Sequence, residues 1–142
     1  MPEFSDLSEQ DLLAACIWGE ARGEPRRGKI AVANVVFNRI NHPNRWGNTI
    51  HSVCLQRWQF SCFNENDPNS EVIKEGIPHT VGYLMCSLIA SMAIDGELAD
   101  VTQTYPELPG ATHYHNSMIT PDWSTKLQYL TQIGKHKFYR EA

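Results

Sequence analysis

The stretch from Arg27 to Asn41 limits the possible folds more than any other part of the chain. Read as a helix, it spreads Ile30, Val32, Ala33, Val35, Val36, Phe37 and Ile40 over far more than one stripe of its surface. A helix lying on a protein surface is apolar on one side only, so this one needs neighbours on most sides. It is expected to be the central helix of the core. His42-Pro43 ends it, because the residue before a proline is pushed out of the helical region. A chain of 142 residues has room for one such core, and one domain over 1–142 is expected.

Other segments build around that helix. Ser8 stands where an N-cap is wanted, with Asp11 three positions on. The helix it starts carries Leu12, Leu13, Cys16 and Ile17 on one face, and Glu20 continues that face before Gly23 and Pro25 stop it. A further helix is predicted from Thr80 to Ile94, with Val81, Leu84, Met85, Leu88, Ile89 and Met92 inward and Asp95-Gly96 closing it. Residues 43–79 are rich in turn formers, and so long an irregular stretch in a small domain is often a functional lobe. Within it a short helix is expected after Thr49 and a small strand over Arg57 to Phe63. Ala111 to His115 reads as extended. The tail from Trp123 to Tyr139 reads as a short helix and a closing loop at Gly134.

Composition removes several classes. A hydrophobic share of 42% with 20% charged residues argues against disorder. The net charge of −4 argues against a nucleic-acid binder. Arg22, Arg26, Arg27, Lys29, Arg39 and Arg45 nevertheless cluster with Glu24 as the one acid among them, and such a patch would attract an anionic polymer unless it is simply a solvated helix face. No apolar run is long enough to span a membrane, and no membrane insertion is expected. The acidic start, MPEFSDLSEQD, does not have the layout of a secretory signal, so synthesis in a reducing compartment is expected. Cys16 and Cys86 fall in apolar helical patterns and read as buried thiols. Cys54 and Cys62 flank a loop where a bridge is conceivable.

Glu20 is the most informative single residue. A carboxylate on the inward face of an apolar helix, near its end, loses part of its hydration, which disfavours the charged form and raises the pKa. A general acid working near neutral pH needs that shift. The competing reading is a glutamate tied to an arginine or a backbone donor.

The run WGEARGEPRRGKIAVANVVFNRI over 18–40 resembles the signature of the cell-wall hydrolase family that includes the spore cortex-lytic enzymes. The resemblance continues in order through Asn48-Thr49-Ile50, Trp58-Gln59-Phe60-Ser61, Tyr114-His115-Asn116 and the run from Ile133 to Tyr139, and so covers nearly the whole chain. It implies an α+β fold, mainly helical and lysozyme-like, with a small irregular or β lobe beside a substrate cleft. It implies that Glu20 is the catalytic acid and that peptidoglycan glycan strands are the substrate. Two departures stand out: Ser117 follows the aromatic-Asn element where the family commonly has proline, and the region between Ser61 and Thr80 looks different.

Gln59 and Ser61 alternate with Phe60, so an extended backbone would aim both polar groups to one side, towards sugar hydroxyls or N-acetyl groups. Tyr114 and Asn116 share that alternation and are expected on the opposite wall, with His115 pointing away. Gln59, Phe60, Ser61, Tyr114 and Asn116 form the expected sugar-contacting set. Glu24 reads as a structural support, and most of Trp18, Trp46, Trp58 and Trp123 as core. His136, Phe138 and Tyr139 are expected to pack the terminus against the cleft.

Glycosidases usually pair an acid with a second carboxylate. Asp67, Asp95, Asp100 and Asp122 all lie in turns or caps, and none recommends itself as that partner. A single acid suffices if the muramic 6-hydroxyl attacks the anomeric carbon, giving a 1,6-anhydro end. Lytic transglycosylation and N-acetylmuramidase hydrolysis both remain open at this point. An alternative class is a zinc-dependent N-acetylmuramoyl amidase, with His113 and His115 joined by His136 or Glu20, although no HExxH spacing is present among the histidines His42, His51, His79, His113, His115 and His136. A non-catalytic wall-binding module is a third alternative. The expected protein is a metal-free, cofactor-free monomer. It would be an endolysin made in the cytoplasm and released to the wall through membrane holes.

Overall fold

The computed structural model describes residues 4–42, 45–56 and 80–141. Among them lie four α-helices and a three-stranded antiparallel sheet, an α+β fold. Helix α1 spans Glu9–Ala21, α2 Arg26–Ile40, α3 Ile50–Cys54 and α4 Val81–Ile94. Strands β1 (His113–Asn116), β2 (Gln128–Ile133) and β3 (His136–Arg140) form a sheet ordered β1-β3-β2.

Helix α2 is apolar on most sides because it serves two cores. Ile30, Val32, Ala33 and Val36 join α1, α3 and α4 in a helical core, while Ala31 and Val35 meet Ala111, Leu130, Ile133 and Phe138 of the sheet side. It shares the central place with α1, in which every residue from Leu12 to Trp18 is buried, more than the single face expected. Ser8 caps α1 by accepting from the Asp11 N–H, and Thr49 with Ser52 forms a capping box at the start of α3, the short helix foreseen there.

Helix α4 is rotated from its predicted orientation: of the residues expected inward, Ile89 alone is fully buried. Tyr83, Cys86, Ile89 and Ala90 are buried, whereas Val81 is 81% exposed, Leu84 65% and Leu88 59%, with Met85 also outward and Met92 half-buried. Two apolar stripes compete on this helix, and the one carrying the smaller Cys86 and Ala90 suits close packing on α1. Polar contacts fix that choice: Gln10 Nε2 donates to Ser87 O and Oγ, each at 3.2 Å, and the Tyr83 hydroxyl donates to Asp11 O at 3.4 Å.

The tail also departs from expectation. Its helical piece is the short 3-10 turn Asp122–Thr125, and the segments either side of Gly134 pair as β2 and β3. Gly134 turns the chain with φ of 58°, a left-handed conformation that favours glycine. A bulge between Tyr129 and Thr131 breaks the strict alternation and puts Leu130 in the core.

Helix α2 also sets the position of β1. Asn38 Nδ2 donates to Asp100 Oδ2 and to Ala111 O, both at 2.9 Å, and Arg39 Nε donates to Thr112 O at 2.7 Å. The basic patch read from sequence is thinner than it looks, because Arg39 and Lys29 are buried and Arg45 pairs with Glu141 at 2.9 Å. Cys16, Cys54 and Cys86 are all buried, and Cys62 lies outside the described residues. Among the described residues no helix is long and apolar enough to cross a membrane.

Candidate active site

Glu20 sits on the last turn of α1, at the point where the helix leaves the core. Arg22 N–H still bonds Trp18 O, Glu24 N–H bonds Ala21 O, and Pro25 then leads into α2. This tight connection carries Glu20 and Glu24 to the mouth of a cleft of about 180 Å³. Residues 19–24 line one side, and Asn116, Lys135 and His136 line the other.

Strand register explains the second wall. In the β1–β3 pair, Tyr114 is opposite Phe138 and Asn116 opposite His136, and directly opposed residues share a sheet face. Phe138 is fully buried among Ala31 and Val35, so this face looks towards the helices. The Tyr114 ring lies 4.9 Å from His136 and 5.6 Å from Phe138, centroid to centroid. From there its hydroxyl donates to Glu20 Oε1 at 2.5 Å. That length is at the short end for an O–H···O hydrogen bond. Asn116 stands at the exposed rim, where its Oδ1 accepts from the Met118 N–H at 2.8 Å.

Glu24 is held from several directions. Its Oε1 accepts the Lys135 N–H at 2.8 Å and lies 3.6 Å from His136 Nδ1, and its backbone carbonyl receives the buried Lys29 ammonium. His136 is itself buried. Burial lowers its pKa, against the opposing influence of Glu24 and then Glu20, and His115 lowers it further.

The opposite sheet face has a different character. His113, His115 and Tyr139 surround Trp123 with ring centroids between 5.4 and 5.5 Å from it. Burial, with Arg39 and Arg45 adding to it, drives the His113 pKa down to about 4. His113 and His115 therefore lie across the sheet from His136, which separates the trio suggested for a zinc amidase. Among the described residues no three histidine, cysteine, aspartate or glutamate side chains converge as metal ligands.

Of the residues singled out in the sequence, the structure brings Glu20 and Tyr114 into contact and sets Asn116 on the same cleft. Gln59, Phe60 and Ser61 lie outside the described residues, as do Trp58 and Asp67. Sequence reasoning passed over Lys135 and Arg22, which line the cleft, and the bond from Glu24 to the β2–β3 turn. The glycine-centred turn at 134 was the available signal for the first. Nothing local in sequence joins residues 24 and 135.

Comparison with known proteins identifies the family. The family model described as Cell Wall Hydrolase matches residues 23–139, which begin just beyond Glu20. The spore cortex-lytic enzyme of Bacillus subtilis is 56% identical over 139 residues, covering 97% of this chain and 39% of that protein. The spore cortex-lytic enzyme of Halalkalibacterium halodurans is 29% identical over 136 residues, covering 95% and 35%. This chain thus spans well under half the length of either relative. Among solved structures, the catalytic domain of the germination-specific lytic transglycosylase SleB from Bacillus anthracis superposes with a TM-score of 0.69 at 25% identity, over 99% of this chain and 100% of that one. The catalytic domain of the Bacillus cereus SleB protein gives 0.68 at 26% identity, over 93% and 89%. This chain belongs to the cell wall hydrolase family.

Proposed function

We propose that this chain cleaves peptidoglycan glycan strands between N-acetylmuramic acid and N-acetylglucosamine as a lytic transglycosylase, with Glu20 as its acid and then its base. The observation that carries this reading is the Tyr114 hydroxyl on Glu20 Oε1 at 2.5 Å, with Glu20 itself lining the cleft. The match to a lytic transglycosylase catalytic domain over its full length supports the reaction class.

Glu20 begins protonated and gives its proton to the glycosidic oxygen as the bond to C1 breaks. The N-acetylglucosamine hydroxyl leaves. The Glu20 carboxylate then takes the proton from the muramic 6-hydroxyl as that oxygen bonds to C1. This closes the 1,6-anhydro ring and restores the acid. Intramolecular attack has a high effective concentration, so no second group has to activate water. Tyr114 fits both halves: it holds the side chain in place and donates to the oxygen that becomes anionic. The cleft, at about 180 Å³, is smaller than the roughly 300–1,000 Å³ of pockets that enclose a ligand, as suits a groove gripping part of a long polymer. Asn116, with Gln59, Phe60 and Ser61, is assigned to sugar contacts.

The relatives are named for spore cortex, so cortex peptidoglycan is the first substrate to try, beside vegetative wall. Glu20→Gln keeps the shape and removes the proton. It should slow turbidity loss of purified peptidoglycan by roughly 10²–10⁴-fold, the usual size of an acid–base contribution, with an unchanged circular dichroism spectrum. Activity within about tenfold of wild type contradicts the assignment.

A further inference from the structure

Glu24 is the second carboxylate on the cleft, and in a glycosidase such a residue is the first suspect for base or nucleophile. Its surroundings suit another task. The side chain is 9% exposed, and Oε1 already accepts the Lys135 N–H at 2.8 Å. A Cβ on Gly134 would stand 2.5 Å from that oxygen, and one on Gly28 would stand 2.9 Å from Glu24 Cβ. Both distances are too short for a real side chain, so two glycines make room for this one glutamate. Lys135 is held from its other side as well, because Ser117 N–H donates to Lys135 O at 2.7 Å. The next residue, His136, carries the ring that packs on Tyr114.

We propose that Glu24 is a positioning residue: it clamps the Lys135–His136 corner of the β2–β3 turn, so that His136 backs the Tyr114 ring and the Tyr114 hydroxyl stays on Glu20. The proposal rests on the reading of Glu20 as the acid. The sequence of contacts runs from the carboxylate to the turn amide, from the turn to the imidazole, and from the tyrosine ring to the acid. His136 Nδ1 is buried and has no hydrogen-bond partner, which fits a ring used for its packing surface. A clamp of this kind acts on the geometry of the reacting groups, so its loss should lower kcat more than it changes KM.

The test compares Glu24→Gln, Glu24→Ala and Gly134→Ala in the folded chain acting on purified peptidoglycan. The glutamine oxygen can still accept from Lys135 but the amide cannot exchange a proton with substrate. We expect Glu24→Gln to keep kcat within about threefold and Glu24→Ala to lose roughly 30- to 100-fold with KM within about threefold, the scale of a misplaced catalytic group. Gly134→Ala presses on the same carboxylate from the turn and should lower kcat in the same way. It also supplies the answer if the alanine variant at 24 does not fold. A loss in Glu24→Gln as deep as in Glu24→Ala, with both folded, overturns the proposal by making the proton of Glu24 part of the chemistry. Full kcat in folded Glu24→Ala, or in Gly134→Ala, overturns it by making the clamp dispensable. Failure of the Glu20 reading shows separately, as an active Glu20→Gln.

Discussion

The Tyr114 hydroxyl donates to Glu20 Oε1 across 2.5 Å, joining strand β1 to the last turn of α1. The two residues are far apart in sequence and are brought together by α2, which anchors β1 through Asn38 and Arg39. Tyr114→Phe removes only the hydroxyl and leaves the ring against His136 and Phe138. A hydrogen bond to a charged group contributes about 1.5–3 kcal/mol. We therefore expect kcat to fall roughly 10- to 100-fold with KM little changed. Steady-state kinetics on purified peptidoglycan checks this, and a rate within about twofold of wild type contradicts it.

Metal removal should leave the rate unchanged. His113 and His115 lie on one face of the sheet and His136 on the other, and the proposed steps route no proton or electron pair through a metal. Dialysis against a strong chelator followed by the turbidity assay checks this. Complete loss restored by zinc alone would return the amidase reading to first place.

Acid should destabilise the fold through its buried imidazoles. The pKa of His113 is lowered from 6.5 to about 4, and that of His136 is lowered as well. Above pH 6.5 folded and unfolded chains both hold these rings neutral, and stability is level. Below it the unfolded chain binds protons that the folded chain refuses, so stability falls as pH drops. For His113 the fall ends near pH 4, where the folded ring also protonates. Thermal melts between pH 7.5 and 4 should show this slope, and His113→Gln should flatten it. An unchanged slope in that variant contradicts the assignment to His113.

The orientation of α4 is equally open to test. Leu88 is 59% exposed and Ile89 is fully buried. Leu88→Lys should change stability by no more than about 0.5 kcal/mol, while Ile89→Ala should cost about 2–5 kcal/mol through the cavity it leaves. Urea denaturation measures both. The reverse order would contradict the burial of Ile89 and the exposure of Leu88.

What could be read in the sequence follows from how local each signal is. The caps at Ser8 and Thr49, the end of α1 before Gly23 and the nearly encircled α2 are fixed by neighbouring residues, whereas the α+β class was legible only through the family resemblance. Helix α4 is apolar on more than one side, and periodicity picked the bulkier Val81, Leu84, Met85 and Leu88; the partner surface of α1 selected Tyr83, Cys86, Ile89 and Ala90 instead. Strand β2 was missed because the bulge at Leu130 interrupts the alternation that marks a strand. Glu20 stood out through its place on an apolar helix and in a recognisable motif. Its contact with Tyr114 and the hold of Glu24 on Lys135 are long-range, set by the register of β1 and β3, and no local pattern encodes them.

The central claim is that one carboxylate, Glu20, serves a reaction in which the sugar supplies its own nucleophile. Mass spectrometry of the muropeptides released by the wild-type chain, with and without borohydride reduction, tests it most directly. The account predicts 1,6-anhydromuramic ends, one water lighter than hydrolysed ends and inert to borohydride, and no such products from Glu20→Gln. Reducible muramic ends alone would contradict it, since water would then be the nucleophile and a second group would have to activate that water.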